Sequence, residues 1–160
     1  MFRIRFFTPS VTNQEGKPQA GGELLLGNDR LGFLVDLSHW TQADYERQWH
    51  QGVVRLAHGA PCTALMTAWR GPDSDAPHLM YALWRDDKFV YAQELSVLQS
   101  DLDGPFDPAM PWDHVGERIP AAEQGLPIVE LRCDLITMLG AHFFPSFPWH
   151  LNWGQWGNAA

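Results

Sequence analysis

The chain has 160 residues, of which 45% are apolar and 19% charged, and its formal net charge is −8. This length suffices for one domain with a hydrophobic core. No segment approaches the roughly 20 apolar residues that a membrane helix needs, and a negative charge disfavours nucleic acid as a partner, because phosphates require basic surfaces. Residues 1–7 lack the continuous apolar segment and cleavage site of a signal peptide. We therefore expect a cytoplasmic protein that does not contact a membrane.

The first 37 residues predict short extended segments. Apolar and polar residues alternate over residues 2–8, which is typical of a half-buried strand. Residues 9–22 are polar and contain glycines and prolines, which predicts a loop or a wide hairpin connection. A short strand is predicted over residues 23–27. After a turn at residues 28–30, residues 32–37 continue as a strand or a short bridge.

The strongest helix signal covers residues 42–58. Thr41 precedes Asp44 by three positions, which is the spacing of a capping box. Trp40 is placed to pack on the first turn as a hydrophobic staple, and Gly59 followed by Pro61 ends the helix. Four apolar residues recur at helical spacing and form one face: Tyr45, Trp49, Val53 and Leu56.

Three further segments, joined by short turns, predict an antiparallel meander. They are residues 62–70, 78–85 and 89–98. A proline-rich surface loop over residues 100–112 follows, then a strand over 128–133 and a short helix from Asp134 to Gly140. The predicted fold class is therefore α+β: a single domain, mainly antiparallel sheet, with one long helix and a short C-terminal one.

The sequence contains no motif for catalysis, metal binding or a cofactor. His50 and His58 lie two helical turns apart, roughly 12 Å, which is too far to share a metal. Neither an H-E-x-x-H motif, a G-x-S-x-G motif nor a phosphate-binding glycine loop occurs. Cys62 and Cys133 belong to no C-x-x-C pair, which favours buried free thiols. We predict a protein that is not an enzyme and binds neither a metal nor a cofactor.

The negative charge is concentrated in residues 73–117. This segment has ten acidic residues against two basic ones, Arg85 and Lys88, and so holds the whole imbalance. It is either a solvated face that keeps the protein soluble or a surface for a basic protein partner. On the second interpretation the predicted contacts are turn and loop aspartates: Asp86, Asp87, Asp101, Asp103 and Asp107. Aspartate is expected in turns for backbone reasons, which favours a structural over a catalytic role for these carboxylates.

Aromatic residues fall into two groups. Four of the eight tryptophans occupy positions where a core is expected: Trp40, Trp49, Trp69 and Trp84. The C-terminal segment, residues 143–160, is rich in aromatic residues and contains no charged residue. We predict an α+β domain over residues 1–142 on which this tail packs. The alternative is an exposed aromatic patch for a partner.

The chain resembles the immunity proteins of contact-dependent growth inhibition systems over residues 24–131. The resemblance rests on short motifs around the predicted helix and beyond it: Leu37-Ser38-His39-Trp40, Asp44-Tyr45-Glu46-x-Gln48-Trp49, Gly52, Arg55-Leu56, Gly59, Thr63-Ala64-Leu65-x-Thr67, Trp84, Phe106-Asp107 and Arg118. It departs from the family where residues 128–131 replace a Ser-Glu-Trp motif, and in the tail.

The resemblance implies binding and neutralisation of the C-terminal toxin domain of a partner effector. Many such toxins are nucleases with basic clefts, which an acidic inhibitor surface would cover. The expected partner is therefore a basic toxin domain, bound without covalent chemistry. The residues alone leave two alternatives open, a small-ligand domain with a tryptophan-lined pocket and an enzyme with dispersed catalytic residues. They do not indicate the oligomeric state.

Overall fold

The computed structural model describes residues 1–144, which form two antiparallel sheets and two α-helices. The strands are Phe2–Phe6 (β1), Val11–Thr12 (β2), Pro18–Leu26 (β3), Asp29–Asp36 (β4), Cys62–Ala68 (β5), His78–Arg85 (β6), Phe89–Val97 (β7) and Glu130–Asp134 (β8); the helices are Gln42–Ala57 (α1) and Leu135–Phe143 (α2). The predicted α+β class is confirmed, and the short C-terminal helix extends beyond Gly140. The predicted packing of the tail lies outside the described residues except at Phe143 and Phe144.

The first sheet is built around β3, which pairs with β1 and β2 along one edge and with β4 along the other. Residues 9–22 connect the antiparallel strands β1 and β3, as a wide hairpin connection would, but the prediction misses strand β2 and the start of β3 at residues 18–22. Gly16 lies in a turn, whereas Gly21 and Gly22 are places of close approach. A Cβ on Gly22 would overlap the ring of Phe33 on the neighbouring strand. Only glycine therefore lets this aromatic ring lie flat against the sheet.

Helix α1 begins as its sequence predicts. Thr41 and Asp44 form both hydrogen bonds of a capping box. The Trp40 ring lies 5.1 Å from the Tyr45 ring, in an edge-to-face contact that confirms the staple. The apolar face of the helix is fully buried, including Val53 and Leu56. Neither this helix nor α2, within residues 1–144, is long and apolar enough to cross a membrane.

The second sheet is a meander in the order β5-β6-β7-β8, as predicted for its first three strands. Its inner face packs on the first sheet, where Phe33 and Tyr81 contact each other with ring centroids 5.7 Å apart. The long connection between β7 and β8, residues 98–129, covers the outer face. Cys62 and Cys133 are both free thiols, the former half-buried and the latter buried.

Candidate functional site

The negative charge of residues 73–117 lies at the surface. All ten acidic side chains between residues 73 and 117 are exposed to solvent. Six ion pairs occur within residues 1–144, and each uses an acidic residue outside this segment. The carboxylates of residues 73–117 therefore present negative charge that no basic side chain of the described chain compensates by direct pairing.

Half of these carboxylates lie at one end of the second sheet. The β5–β6 loop and the first residues after β7 meet there around an open recess of about 410 Å³, to which Asp73, Asp75, Gln99 and Ser100 contribute. Asp101 follows directly along the chain. We call this region the acidic end and define it by five side chains: Asp73, Asp75, Asp101, Asp103 and Asp107.

Gln99 holds the loop that carries Asp103 and Asp107. Its Nε2 donates to the Gly104 carbonyl at 2.8 Å, and its Oε1 accepts the backbone N–H of Phe106 at 2.9 Å. The Phe106 ring is buried between two imidazoles, with centroids 4.6 Å from His78 and 4.8 Å from His114. Buried aromatic stacking anchors the loop to the start of β6. The loop that carries Asp103 and Asp107 is therefore held in place by these contacts.

Asp86 and Asp87 lie elsewhere, in the β6–β7 turn at the opposite end of the same sheet. Strand β6 has eight residues, which separates the two ends by roughly 24 Å. Asp86 accepts the backbone N–H groups of Phe89 and Lys88 at 2.7 and 2.8 Å. These two bonds lower the pKa of the Asp86 carboxyl. The five aspartates predicted as contacts therefore form two groups. The predicted meander could have shown this separation, because successive turns of a meander fall at opposite ends of the sheet.

A cleft of about 680 Å³ opens beside the β6–β7 turn. We call it the Trp84 cleft; it is lined by Pro61, Cys62, Trp84, Arg85, Asp86, Tyr91, Val115, Gly116, Glu117 and Arg118. Trp84 donates its indole N–H to the Gly116 carbonyl at 2.8 Å, which ties the long connection to β6. Among residues 1–144, Trp84 is the one tryptophan that lines the cleft. Trp40, Trp49 and Trp69 pack around Tyr45 or against each other.

Arg118 is held rigidly at one side of this cleft. Its guanidinium donates to both carboxylate oxygens of Glu130, at 2.9 and 2.6 Å, and lies 3.6 Å from the centre of the Tyr91 ring. The Arg118 hydrogen bonds are the main reason that the pKa of Glu130 is lowered. The bidentate pair is the strong geometry for these two groups, so Arg118 and Glu130 neutralise each other.

Two histidines that the sequence separated meet in the structure. His50 Nδ1 and His142 Nε2 lie 2.9 Å apart, and the two rings are stacked. Burial lowers the pKa of His142 to about 4. Ninety-two positions separate the two residues, so no sequence spacing could reveal the contact. Within residues 1–144, three or more histidine, cysteine, aspartate or glutamate side chains do not gather as they would around a metal ion.

A family model described as the CdiI N-terminal domain matches residues 35–139. The chain belongs to the CdiI family. This membership confirms the resemblance to immunity proteins of contact-dependent growth inhibition systems. Among solved structures, the CdiA-CT/CdiI toxin and immunity complex from Enterobacter cloacae matches with a TM-score of 0.77 and 21% identity, over 92% of this chain and 100% of that one. At this identity the match establishes a shared fold. A search of curated proteins gave no significant match.

Among the motif residues that carry the CdiI resemblance, Gln48 and Trp49 form scaffold. Gln48 exchanges two hydrogen bonds of 2.9 Å with the backbone of β5, donating to the Ala64 carbonyl and accepting the Met66 N–H. Trp49 donates its indole N–H to the Met66 carbonyl at 2.7 Å. Both side chains are buried. They cover the free edge of the second sheet, which would otherwise expose unpaired backbone groups.

Proposed function

We propose that this CdiI-family chain binds the toxin domain of a partner effector in the cytoplasm and neutralises it by non-covalent blocking. The family match over residues 35–139 is the observation that carries this function. The matched solved structure is a toxin and immunity complex, which supports a toxin domain as the partner. The chain acts as a binding protein and contributes no catalytic step, and nucleic acid is not its ligand.

The acidic end is the proposed contact surface. Its five exposed carboxylates have no basic partner among the described residues, so their field extends into solvent. Such a field attracts a basic protein and raises its association rate. Toxin domains that act on nucleic acid carry basic surfaces for phosphate. A nuclease domain is therefore the partner class that this surface suits, and covering its basic cleft excludes its substrate.

Co-expression tests this function. The toxin domain is the C-terminal part of a larger protein whose gene we expect directly upstream. Bacteria that express this toxin domain under an inducible promoter are expected to stop growing, and co-expression of the present chain is expected to restore growth. A CdiI-family protein that belongs with a different toxin domain serves as the control for specificity. Continued growth arrest in the presence of folded, soluble chain would refute the proposed function.

A further inference from the structure

The Trp84 cleft combines apolar walls with acidic edges. The aromatic rings of Trp84 and Tyr91 and the aliphatic side chains of Pro61 and Val115 line it. Its volume of about 680 Å³ is in the range of sites that hold a ligand or several side chains of a partner, roughly 300–1,000 Å³. A concave apolar site of this kind at a protein surface is typical of pockets that receive an anchoring side chain.

The charges around the cleft leave its carboxylates available. Arg118 is neutralised by its bidentate pair with Glu130. Arg85 donates from Nη1 to the Leu56 carbonyl at 2.6 Å, at the last turn of α1, where the helix dipole favours a positive charge. Both cations of the cleft are thus engaged by groups of the chain itself.

Two lining carboxylates form no ion pair within residues 1–144, and the charge of Arg118 is only a minor cause of the lowered pKa of Asp86. Glu117 is exposed and takes part in none of the ion pairs there. Asp86 is also exposed, and its bonds are to backbone N–H groups and, at 3.3 Å, to the Tyr91 hydroxyl. The cleft therefore offers aromatic surface with unpaired negative charge next to it.

We infer that the Trp84 cleft receives a lysine or arginine side chain from the toxin domain, an inference that rests on the function proposed above. The apolar stem of such a side chain packs on the rings of Trp84 and Tyr91, and its cationic head pairs with Glu117 and Asp86. An acidic side chain is disfavoured because the available charge has the same sign. A purely apolar one leaves the carboxylates without a partner.

The cleft and the acidic end lie at opposite ends of the second sheet, whose strand β6 has eight residues and spans roughly 24 Å. An interface of standard size covers about 800 Å² on each partner, which corresponds to a patch about 30 Å across. The acidic end then attracts the basic partner, and the cleft holds one of its side chains, which slows dissociation.

Dissociation rates of purified complexes test the inference. Glu117→Lys, on wild-type background, is expected to raise the dissociation rate of the toxin domain about tenfold or more, as loss of an anchoring contact does. Glu117→Gln is expected to give a smaller rise in the same direction. Glu123→Lys is the matched control, because Glu123 is exposed on the same connection and does not line the cleft; we expect less than about a twofold change.

A second measurement uses the half-buried thiol of the cleft in unmodified protein. Cys62 lines the cleft, so bound toxin domain is expected to slow its alkylation by N-ethylmaleimide at least tenfold. Equal dissociation rates for the Glu117 and Glu123 variants, or unchanged alkylation of Cys62, would overturn the cleft inference and leave the proposed function intact. Absence of any binding by the wild-type chain would instead refute the proposed function and the cleft inference with it.

Discussion

The side chain of Gln48 and the backbone of Met66 are joined by a hydrogen bond of 2.9 Å, in which a helical side chain completes the free edge of a sheet. The same amide donates to the Ala64 carbonyl at 2.9 Å. Gln48 thus takes the place of a neighbouring strand. This contact joins the helix that carries the family motif to the sheet that carries the acidic end.

Replacement of Gln48 by alanine tests this contact. The change leaves a buried backbone N–H and a buried carbonyl without partners, and we expect the free energy of unfolding to fall by about 2–3 kcal/mol. Urea denaturation measures it. Gln51→Ala, at an exposed position three residues further along the same helix, is expected to change the free energy of unfolding by less than about 0.5 kcal/mol. Equal effects of the two substitutions would contradict the role of Gln48.

Gly52 marks a close approach of α1 to the second sheet. A Cβ at this position would lie 2.6 Å from Leu65 Cδ2 and 3.0 Å from the Ala64 carbonyl oxygen. Gly52→Ala should therefore lower the stability by about 1–3 kcal/mol through overpacking, although alanine is the better helix former. Thermal denaturation distinguishes the two effects, because a higher melting temperature would show that helix propensity prevails.

The His50–His142 contact predicts a pH dependence of stability. Burial lowers the pKa of His142 to about 4 in the folded state, whereas an unfolded histidine titrates near 6.5. As pH falls below about 6.5 the unfolded chain binds a proton that the folded chain does not, so stability decreases down to about pH 4. We expect this to contribute about 2 kcal/mol of loss between pH 7 and 4.5.

Urea titrations at the two pH values measure that loss. The His142→Phe variant keeps an aromatic ring and removes the titrating group, so its loss is expected to be smaller by the same amount. His58→Ala removes an exposed histidine and should leave the loss as in the wild type. If all three proteins lose stability equally, His142 does not titrate as described.

Arg118 fastens the long connection to the outer face of the second sheet. Lysine in its place keeps the charge but loses the bidentate pair with Glu130 and the contact with the Tyr91 ring. We expect Arg118→Lys to cost about 1 kcal/mol and to speed amide hydrogen exchange over residues 115–120. The exposed Arg3 provides the control: Arg3→Lys should alter neither quantity, and exchange unchanged in both variants would contradict the role of Arg118.

Local signals predicted the parts of the fold whose causes are local. The capping box of Thr41 and Asp44 and the periodicity of its apolar face predict α1 within one residue. The strand at residues 18–22 escaped prediction because Gly21 and Gly22 are typical of loops. Both glycines make room for an aromatic ring: Phe7, which directly follows β1, approaches Gly21, and Phe33 of β4 approaches Gly22. Such long-range contacts have no signature in a short window of sequence.

The sequence predicts the charge of the candidate surface better than it predicts where the charged residues lie on the fold. The sequence locates the ten acidic residues between positions 73 and 117, and the structure places them all in solvent. The division of the five predicted aspartates between two ends of the sheet follows from the pairing of β6 with β7. The Trp84 cleft depends on the contact between Trp84 and Gly116, 32 positions apart. A contact between residues so far apart along the chain has no recognisable pattern in a short window of sequence.

In the proposed function, the acidic end brings the toxin domain to this chain. Stopped-flow association of the two proteins over a range of salt concentrations tests it, with Asp101, Asp103 and Asp107 all replaced by lysine. We predict association about tenfold slower at low salt and a weaker dependence on salt than in the wild type. In the matched control, lysine replaces Glu15, Glu46 and Glu123, which are exposed outside the acidic end. This variant should associate nearly as fast as the wild type. Equal association rates and equal salt dependence of the two triple variants would contradict this role of the acidic end.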